Sequence, residues 1–517
     1  MAAIAAVPCF IFYSMRLFCI IVIFAGLPFC LSAQIGFNKT YTHSFGVNKF
    51  ARLIVEDDTI FCIGTAYDTS IAPSFLKVWI VKLDTLGNVL QTRIYKDSLN
   101  GIQSMDFLRG DVVKTSREYF AFNLDGISRP SVQILQVDKM LETKAVFEYS
   151  IGNNYVEFYN QLLEMPDGGF MIVGTAQRPN LKTDGFIRRI DINGNVLWFK
   201  YYGDYNKDEY MSALAKASEN YFVISGGGNA INNDPFNARA SIWAIDSNGI
   251  VLDTWLGPNS PDLTNISKLM TAPDGGFIGT GSIYWGQGDW GGRVQVALIK
   301  LDSNFQLQWL KGIGPNTSVY NGMYDLVYTP DGNYLAAGER TAYGDLSQSS
   351  TDWGGWLYKF SPAGDSLWSR SDNSPPGMNA SGEFVYGGVG VLSSGSIVAG
   401  GKGDIDGKFV GWVVKVTPDG CMDTLFCKTS AIIEIPKTKR CTLSPNPAQD
   451  MIQLRFGEAM GPGTLVQVWD LAGRLMRTQS IETGTLTQAI SVAGFAEGCY
   501  LVVFIENGKV VAREKLV

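Results

Sequence analysis

Histidine is almost missing from this chain: among 517 residues there is one, His43. Three-histidine zinc sites, HExxH helices and relays built from several imidazoles are therefore excluded. A triad with His43 as its base is the one arrangement of that kind left, and a place on a strand is the simpler reading. Charge is scarce too, at 18 % of residues against the ~25 % usual in soluble domains. The balance is acidic, with a net charge of −7, so the basic face that a nucleic-acid partner requires is lacking. There are eight cysteines, but no two stand at the CxxC spacing of a metal clip, and no metal site is expected. Beyond the first residues, no apolar run is long enough to span a bilayer.

The beginning of the chain is a targeting segment. Met15-Arg16 gives a short basic start, Leu17 to Leu27 is apolar, and Leu31-Ser32-Ala33 ends on a small residue. This is the pattern of a secretory signal spanning 1–33 and cut after Ala33, with Met15 as an alternative start. Gly26 and Pro28 shorten the apolar run, which argues against an uncleaved anchor.

What the chain has in plenty is glycine in a repeating phrase. Pro166-Asp167-Gly168-Gly169-Phe170 opens an apolar run and is followed by Asp191-Ile192-Asn193-Gly194-Asn195. The phrase returns at Pro273 to Phe277 with Asp302 to Trp309, and at Pro330 to Tyr334 with Ser361 to Trp368. Looser copies start at Asp57, Arg117, Glu219 and Ser394, making seven. The second turns at Gly87, Gly194, Gly249, Gly364 and Gly420 fit one register if two copies have lost their glycine. A period of roughly 55 residues made of short strands and tight turns predicts a radial β-repeat. The third copy divides into strands at 158–165, 170–176, 185–191 and 195–202, the last two joined by a glycine turn. The first of those joined strands alternates apolar residues with Arg188, Arg189 and Asp191. The fold expected is all-β: a seven-bladed β-propeller of four-stranded blades over 34–428. Residues 37–46 resemble a fourth strand and are expected to complete the last blade from the other end of the chain.

Composition changes after Cys427. A linker over 429–441 leads to a tail, 442–517, that reads as a small immunoglobulin-like β-sandwich. The tail carries Ser444-Pro445-Asn446-Pro447, then Asp470-Leu471-Ala472-Gly473-Arg474, then Gly498-Cys499-Tyr500-Leu501, and ends Lys515-Leu516-Val517. In this order the motifs resemble the type A C-terminal sorting domain of the type IX secretion system. Pro445, Asn446, Pro447, Gly473, Arg474, Gly498, Tyr500 and Lys515 carry the likeness. The resemblance implies export across both membranes of a Gram-negative cell, the type IX machinery as partner, and release or attachment at the outer surface, including to lipopolysaccharide. It implies nothing about the propeller's activity.

Candidate chemistry lies in the loops between second and third strands, which a propeller gathers on one face. Each carries an acid: Asp68, Asp125, Asp184, Asp234, Asp289, Asp352 and the pair Asp404 and Asp406. Aspartate before glycine is also ordinary turn chemistry. Two loops add aromatics, Trp285 and Trp290 around Asp289, and Trp353 and Trp356 after Asp352. Aromatic faces beside carboxylates suit sugar rings, so surface polysaccharide is a candidate partner; the alternative reading is that these tryptophans fill the loop cores or pack between neighbouring blades. Cys421 and Cys427 are close enough in sequence to clip a small loop by a disulfide in an oxidising compartment. Cys62 reads as a buried thiol. The Asp-Ile-Asn-Gly-Asn turn is similar to a calcium loop, but no bidentate Glu follows, and no cofactor is expected. The function expected is an exported binding or structural module with no catalytic residues assigned. The alternative is a carboxylate-dependent glycosidase or lyase working on the same loop face.

Overall fold

The computed structural model describes residues 36–516 apart from 44–46, 69–74, 96–102, 105–110, 127–131, 150–156, 179–181, 229–238, 259–261, 286–292, 315–320, 342–352, 376–377, 379, 423–440, 458, 471–474, 497, 499 and 507–508. The expected targeting segment, Gly473 and Arg474 thus lie outside the described residues. All regular elements among the described residues are strands, in seven successive antiparallel sheets and then two more in the tail.

Each of the seven sheets is a blade with strands a to d from the axis outward. In blade 3 they are Glu157–Glu164, Phe170–Gln177, Thr183–Ile190 and Val196–Tyr202, within two residues of the expected bounds. The other inner strands are Asn48–Glu56, Glu209–Ser218, Asp262–Thr271, Asn321–Tyr328 and Ala380–Val391. Blade 2 departs from the pattern. Its inner strand is split into Gln103–Ser104 and Val112–Lys114, both paired with Phe120–Gly126.

The ring closes as expected. Phe37–Tyr41 pairs with Lys408–Val416, from Phe37 opposite Lys415 to Tyr41 opposite Gly411, and serves as strand d of blade 7. The apolar cores show the same closure. One core joins Phe61 and Ile63 of blade 1 to Phe120 and Phe122 of blade 2. Further cores join each blade to the next. The last joins Val398 and Val413 of blade 7 to Phe50 and Trp79 of blade 1. A blade alone is one sheet thick and has no interior, so burial arises only from the neighbour.

The repeating turns explain the repeating residues. At the c–d turn, Asp191 Oδ1 accepts N–H bonds from Asn193 and Asn195 at 2.9 and 2.8 Å. Asp84, Asp138, Asp246 and Asp302 do the same for their own turns. These carboxylates hold their turns as backbone acceptors. The fourth turn residue has positive φ: Gly194 at 85° and Gly249 at 72°. A Cβ on Gly194 would lie 2.3 Å from the Phe147 ring of the preceding blade. The two copies without glycine keep the conformation with Leu141 at φ 62° and Phe305 at 59°. Both side chains are buried in the cores between blades, which offsets about 1 kcal/mol of left-handed strain.

The a–b turn has a second task. Asp167, Asp274 and Asp331 of the Pro-Asp-Gly phrase reach Arg189, Lys300 and Lys359 of strand c at 2.5, 2.6 and 2.6 Å. Those bases are buried, as is Arg188, so strand c is covered on both faces where alternation suggested one exposed face. The sheets of adjacent blades enclose it, and the arginine stems pack along apolar surface.

Neighbouring blades are latched by tyrosine. Tyr95, Tyr149 and Tyr202, just past or at the end of strand d, donate to Leu141, Gly194 and Gly249 carbonyls of the next c–d turn. Tyr41 does the same to the Gly87 carbonyl at 2.8 Å, so the seam between blades 7 and 1 uses the common latch. A tail sheet of Cys441–Ser444, Met451–Phe456 and Thr487–Ser491 packs with one of Leu475–Ser480, Leu465–Asp470, Tyr500–Glu506 and Lys509–Leu516. Their shared core includes Ile452, Val468, Val502 and Phe504.

Candidate functional site

Inner strands run from the loop face to the turn face, and in six blades they carry a β-bulge midway. The bulge inserts a residue and bends the strand. Two residues before it, on the loop side, stand Asn48, Glu157, Glu209 and Asn321 in blades 1, 3, 4 and 6. All four are buried at 1–5 % exposure.

The buried carboxyls of this face resist ionisation. Burial raises Glu157 although Arg188 Nη2 lies 3.2 Å from it. Asp184 is fully buried, and burial pushes it up to about 6 against the opposing charge of Arg178, with Glu209 adding repulsion. Burial also raises Glu209, whose carboxylate accepts the Asp204 N–H. Between blades 6 and 7, burial pushes Glu339 up to about 7, opposed by a bond from the Tyr324 hydroxyl and reinforced by the charge of Glu383. Glu383 is partly exposed and pairs with Lys402 at 2.5 Å. Glu339 Oε2, Glu157 Oε2 and Asp184 Oδ1 accept no hydrogen bond among the described residues.

The residues singled out in the sequence are scattered. Asp289, Trp290 and Asp352 lie outside the described residues, and Trp285 and Trp353 are placed only as the end of one strand and the start of another. Trp356, expected on the loop rim, is 1 % exposed in the core between blades 5 and 6. Its Nε1 donates to Ser369 Oγ of strand d at 2.8 Å, as Trp79 donates to Thr92 and Trp412 to Asn38. This tryptophan fastens strand c to strand d and offers no face to a ligand. Asp404 is partly buried, and Asp406 begins a two-residue hairpin with φ 52°, followed by Gly407 at 71°. Cys62 is buried and free. Cys421 is disulfide-bonded, whereas Cys427 lies outside the described residues. Glu157 and Glu209 were findable from their common offset in the repeat. Glu339 and Glu383 carry no motif.

On the axis, Asp111 of blade 2 meets Arg52 of blade 1 at 3.9 Å and Lys268 of blade 5 at 3.4 Å. Blades 2 and 5 are not neighbours, so the second contact crosses the channel. On its turn side lies a cavity of about 300 Å³ lined by Arg52, Asp111, Asp325 and the aliphatic Ile54, Val112 and Val327.

In the tail, the separate sorting motifs converge. Pro447, Val492, Phe495, Gly498, Tyr500 and Leu516 line one cavity of about 460 Å³. The Tyr500 hydroxyl donates to the Ala496 carbonyl at 2.6 Å. Pro445 and Asn446 are exposed beside it, and Lys515 sits on the last strand opposite Leu501. Propeller and tail together define an exported seven-bladed β-propeller. Residues 442–517 match the family model of the secretion system C-terminal sorting domain. That tail is the type IX sorting domain, and the protein is secreted or placed at the cell surface through the type IX machinery.

No curated protein matches the chain. Among solved structures, a protein of unknown function from Dyadobacter fermentans DSM 18053 is 10 % identical, covering 73 % of this chain and 98 % of its own with a TM-score of 0.42. An oligogalacturonate lyase in complex with manganese is 10 % identical over 74 % of this chain and 97 % of its own, TM-score 0.39. An α-L-arabinanase from Penicillium chrysogenum is 9 % identical over 59 % and 92 %, TM-score 0.36. Likeness this distant has no bearing on activity.

Proposed function

We propose that the propeller is a recognition module for a polyhydroxylated ligand, such as a surface glycan, bound over its loop face. The observation that supports this most is the set of loop-side carboxyls with unfilled acceptor oxygens, Glu157, Asp184 and Glu339. A buried acceptor left empty costs about 1–3 kcal/mol, so the fold keeps these acids at a cost on this face, as recognition sites do. Trp285 and Trp353, at the loop-side ends of their strands, with Asp289, Trp290 and Asp352 from the same b–c segments of the sequence, would add aromatic stacking and further acceptors. Glycan-array binding by the mature chain tests this. The reading requires a positive class of glycan, and binding must fall when Trp285, Trp290 and Trp353 are replaced together by Ala.

A second reading, a glycosidase or lyase, is favoured by one feature. Glu339, pushed up to about 7, stands in the field of the more exposed Glu383. A protonated acid beside an ionised carboxylate is the pairing that general acid–base cleavage of glycosides uses. Reducing-end release from a polysaccharide panel separates the readings. Turnover abolished by Glu339→Gln or Glu383→Gln establishes catalysis. Glycan binding with no turnover establishes recognition alone.

A further inference from the structure

The axial cavity lies on the opposite side of the Arg52–Asp111–Lys268 cluster from the loop face, and its chemistry is different. Its walls come from the turn-side half of the inner strands: Ile54 and Val55 of blade 1, Val112 of blade 2, Val327 of blade 6 and Val391 of blade 7. All are partly accessible, so the walls are aliphatic and face open space. At the inner end stand Arg52 and Asp325. Arg52 Nη1 donates to the Ala51 and Gly387 carbonyls at 2.8 and 2.9 Å, and its Nε faces Asp111.

Asp325 is placed differently. Its Oδ1 accepts the Leu326 N–H at 3.0 Å and its Oδ2 the Val389 N–H at 2.9 Å. Among the described residues it has no basic partner. Two backbone bonds leave about half the acceptor capacity of a carboxylate unused. A carboxylate at the inner end of an aliphatic cavity, satisfied only by neutral donors, favours a cation able to enter that cavity. The volume sits at the lower end of the range for small-molecule sites, which is about 300–1,000 Å³. A bare metal ion would leave the aliphatic walls uncovered, and a purely apolar molecule would leave the unused acceptor capacity of Asp325 unfilled.

We propose that this axial cavity binds a small organic ammonium with an aliphatic body, its N–H groups on Asp325 and its carbon skeleton against Ile54, Val55, Val112, Val327 and Val391. The site is independent of the loop-face reading, because the two lie on opposite sides of the axial ion cluster.

The test titrates the mature full chain with 3-methylbutylamine, with 4-methylpentanoate and with 3-methylbutan-1-ol, by calorimetry and by thermal shift. The amine is expected to bind and raise Tm in a concentration-dependent way. The acid and the alcohol, which share the branched body, are expected to bind at least about tenfold more weakly. Asp325→Asn should weaken amine binding by about tenfold or more. Val391→Phe, at a partly exposed wall position, should block it by filling the cavity while leaving Asp325 in place, and it guards against a misfolded Asn variant. The proposal is overturned if the amine does not bind, if the alcohol binds as well as the amine, if Val391→Phe binds normally, or if a folded Asp325→Asn protein retains full affinity.

Discussion

The two faces of the propeller treat the same functional group in opposite ways. On the turn face, Asp167, Asp191, Asp274 and Asp331 are held below the usual carboxylate range; bonds from backbone N–H groups, from Asn195 and from strand-c bases outweigh their slight desolvation. On the loop face, Glu157, Asp184, Glu209 and Glu339 are raised, because burial outweighs their partners. One face uses acids to stabilise the fold. The other keeps acids at a cost in stability, which is where recognition or chemistry is expected.

The contrast can be broken or sharpened by experiment. The largest effect should come from removing the shared foundation of both faces. Deleting residues 36–41 leaves the core between blades 7 and 1 open and the Tyr41 latch unmade. A loss of several kcal/mol is expected in denaturant unfolding, on ladder and burial grounds. An unchanged midpoint would show that the seam contributes nothing.

Next comes Glu339. Its folded pKa of about 7 lies above the ordinary 4.5. The folded state therefore binds the proton more tightly, and stability is greatest below pH 4.5 and declines as pH rises through 7. Glu339→Gln should remove that decline and stabilise the protein at pH 8 by about 3 kcal/mol. Unfolding curves at pH 4 and pH 8 for both proteins measure it. Equal pH slopes would refute the burial argument.

On the turn face the sign reverses. Asp331, lowered to about 2, contributes stability that is present above pH 3.8 and lost as pH falls through about 2. Asp274→Ala should strand the buried Lys300 ammonium and cost about 2 kcal/mol at neutral pH. The matching double variant with Lys300→Met should recover most of it, and failure to recover would mean the pair is not the cause. The smallest effect expected is from Tyr202→Phe, which removes one latch bond to Gly249 and should cost about 1 kcal/mol.

The turn face was almost entirely legible in the sequence, for a local reason. Asp84 and Asp191 bond to residues two and four positions on, and the lost glycines at Leu141 and Phe305 keep the register that the other five copies set. The closing strand was legible because Phe37–Tyr41 repeats the outer-strand pattern. The tail was legible because its motifs are themselves the signal. What failed was anything decided by a neighbouring blade. Trp356 read either as a rim aromatic or as packing between blades, and only the neighbouring blade decides for the second. Arg188 stood only as a polar member of an alternating strand, yet Glu157 and the Tyr159 hydroxyl receive it in a buried setting. The meeting of Asp111 with Lys268 joins residues 157 positions apart, and no local pattern announces it.

The seam has a further consequence in time. Phe37 and Lys415 are partners, so the ring cannot be sealed until nearly all of its chain has left the ribosome and any export channel. Until then the first blade lacks its neighbour on the seventh-blade side and the amino-terminal strand has nothing to pair with. Such a long-range last step makes folding slow and leaves an unprotected sheet edge meanwhile. The order of emergence, with the sorting tail following directly behind the seventh blade, makes maturation of the ring and arrival of the export signal nearly simultaneous events.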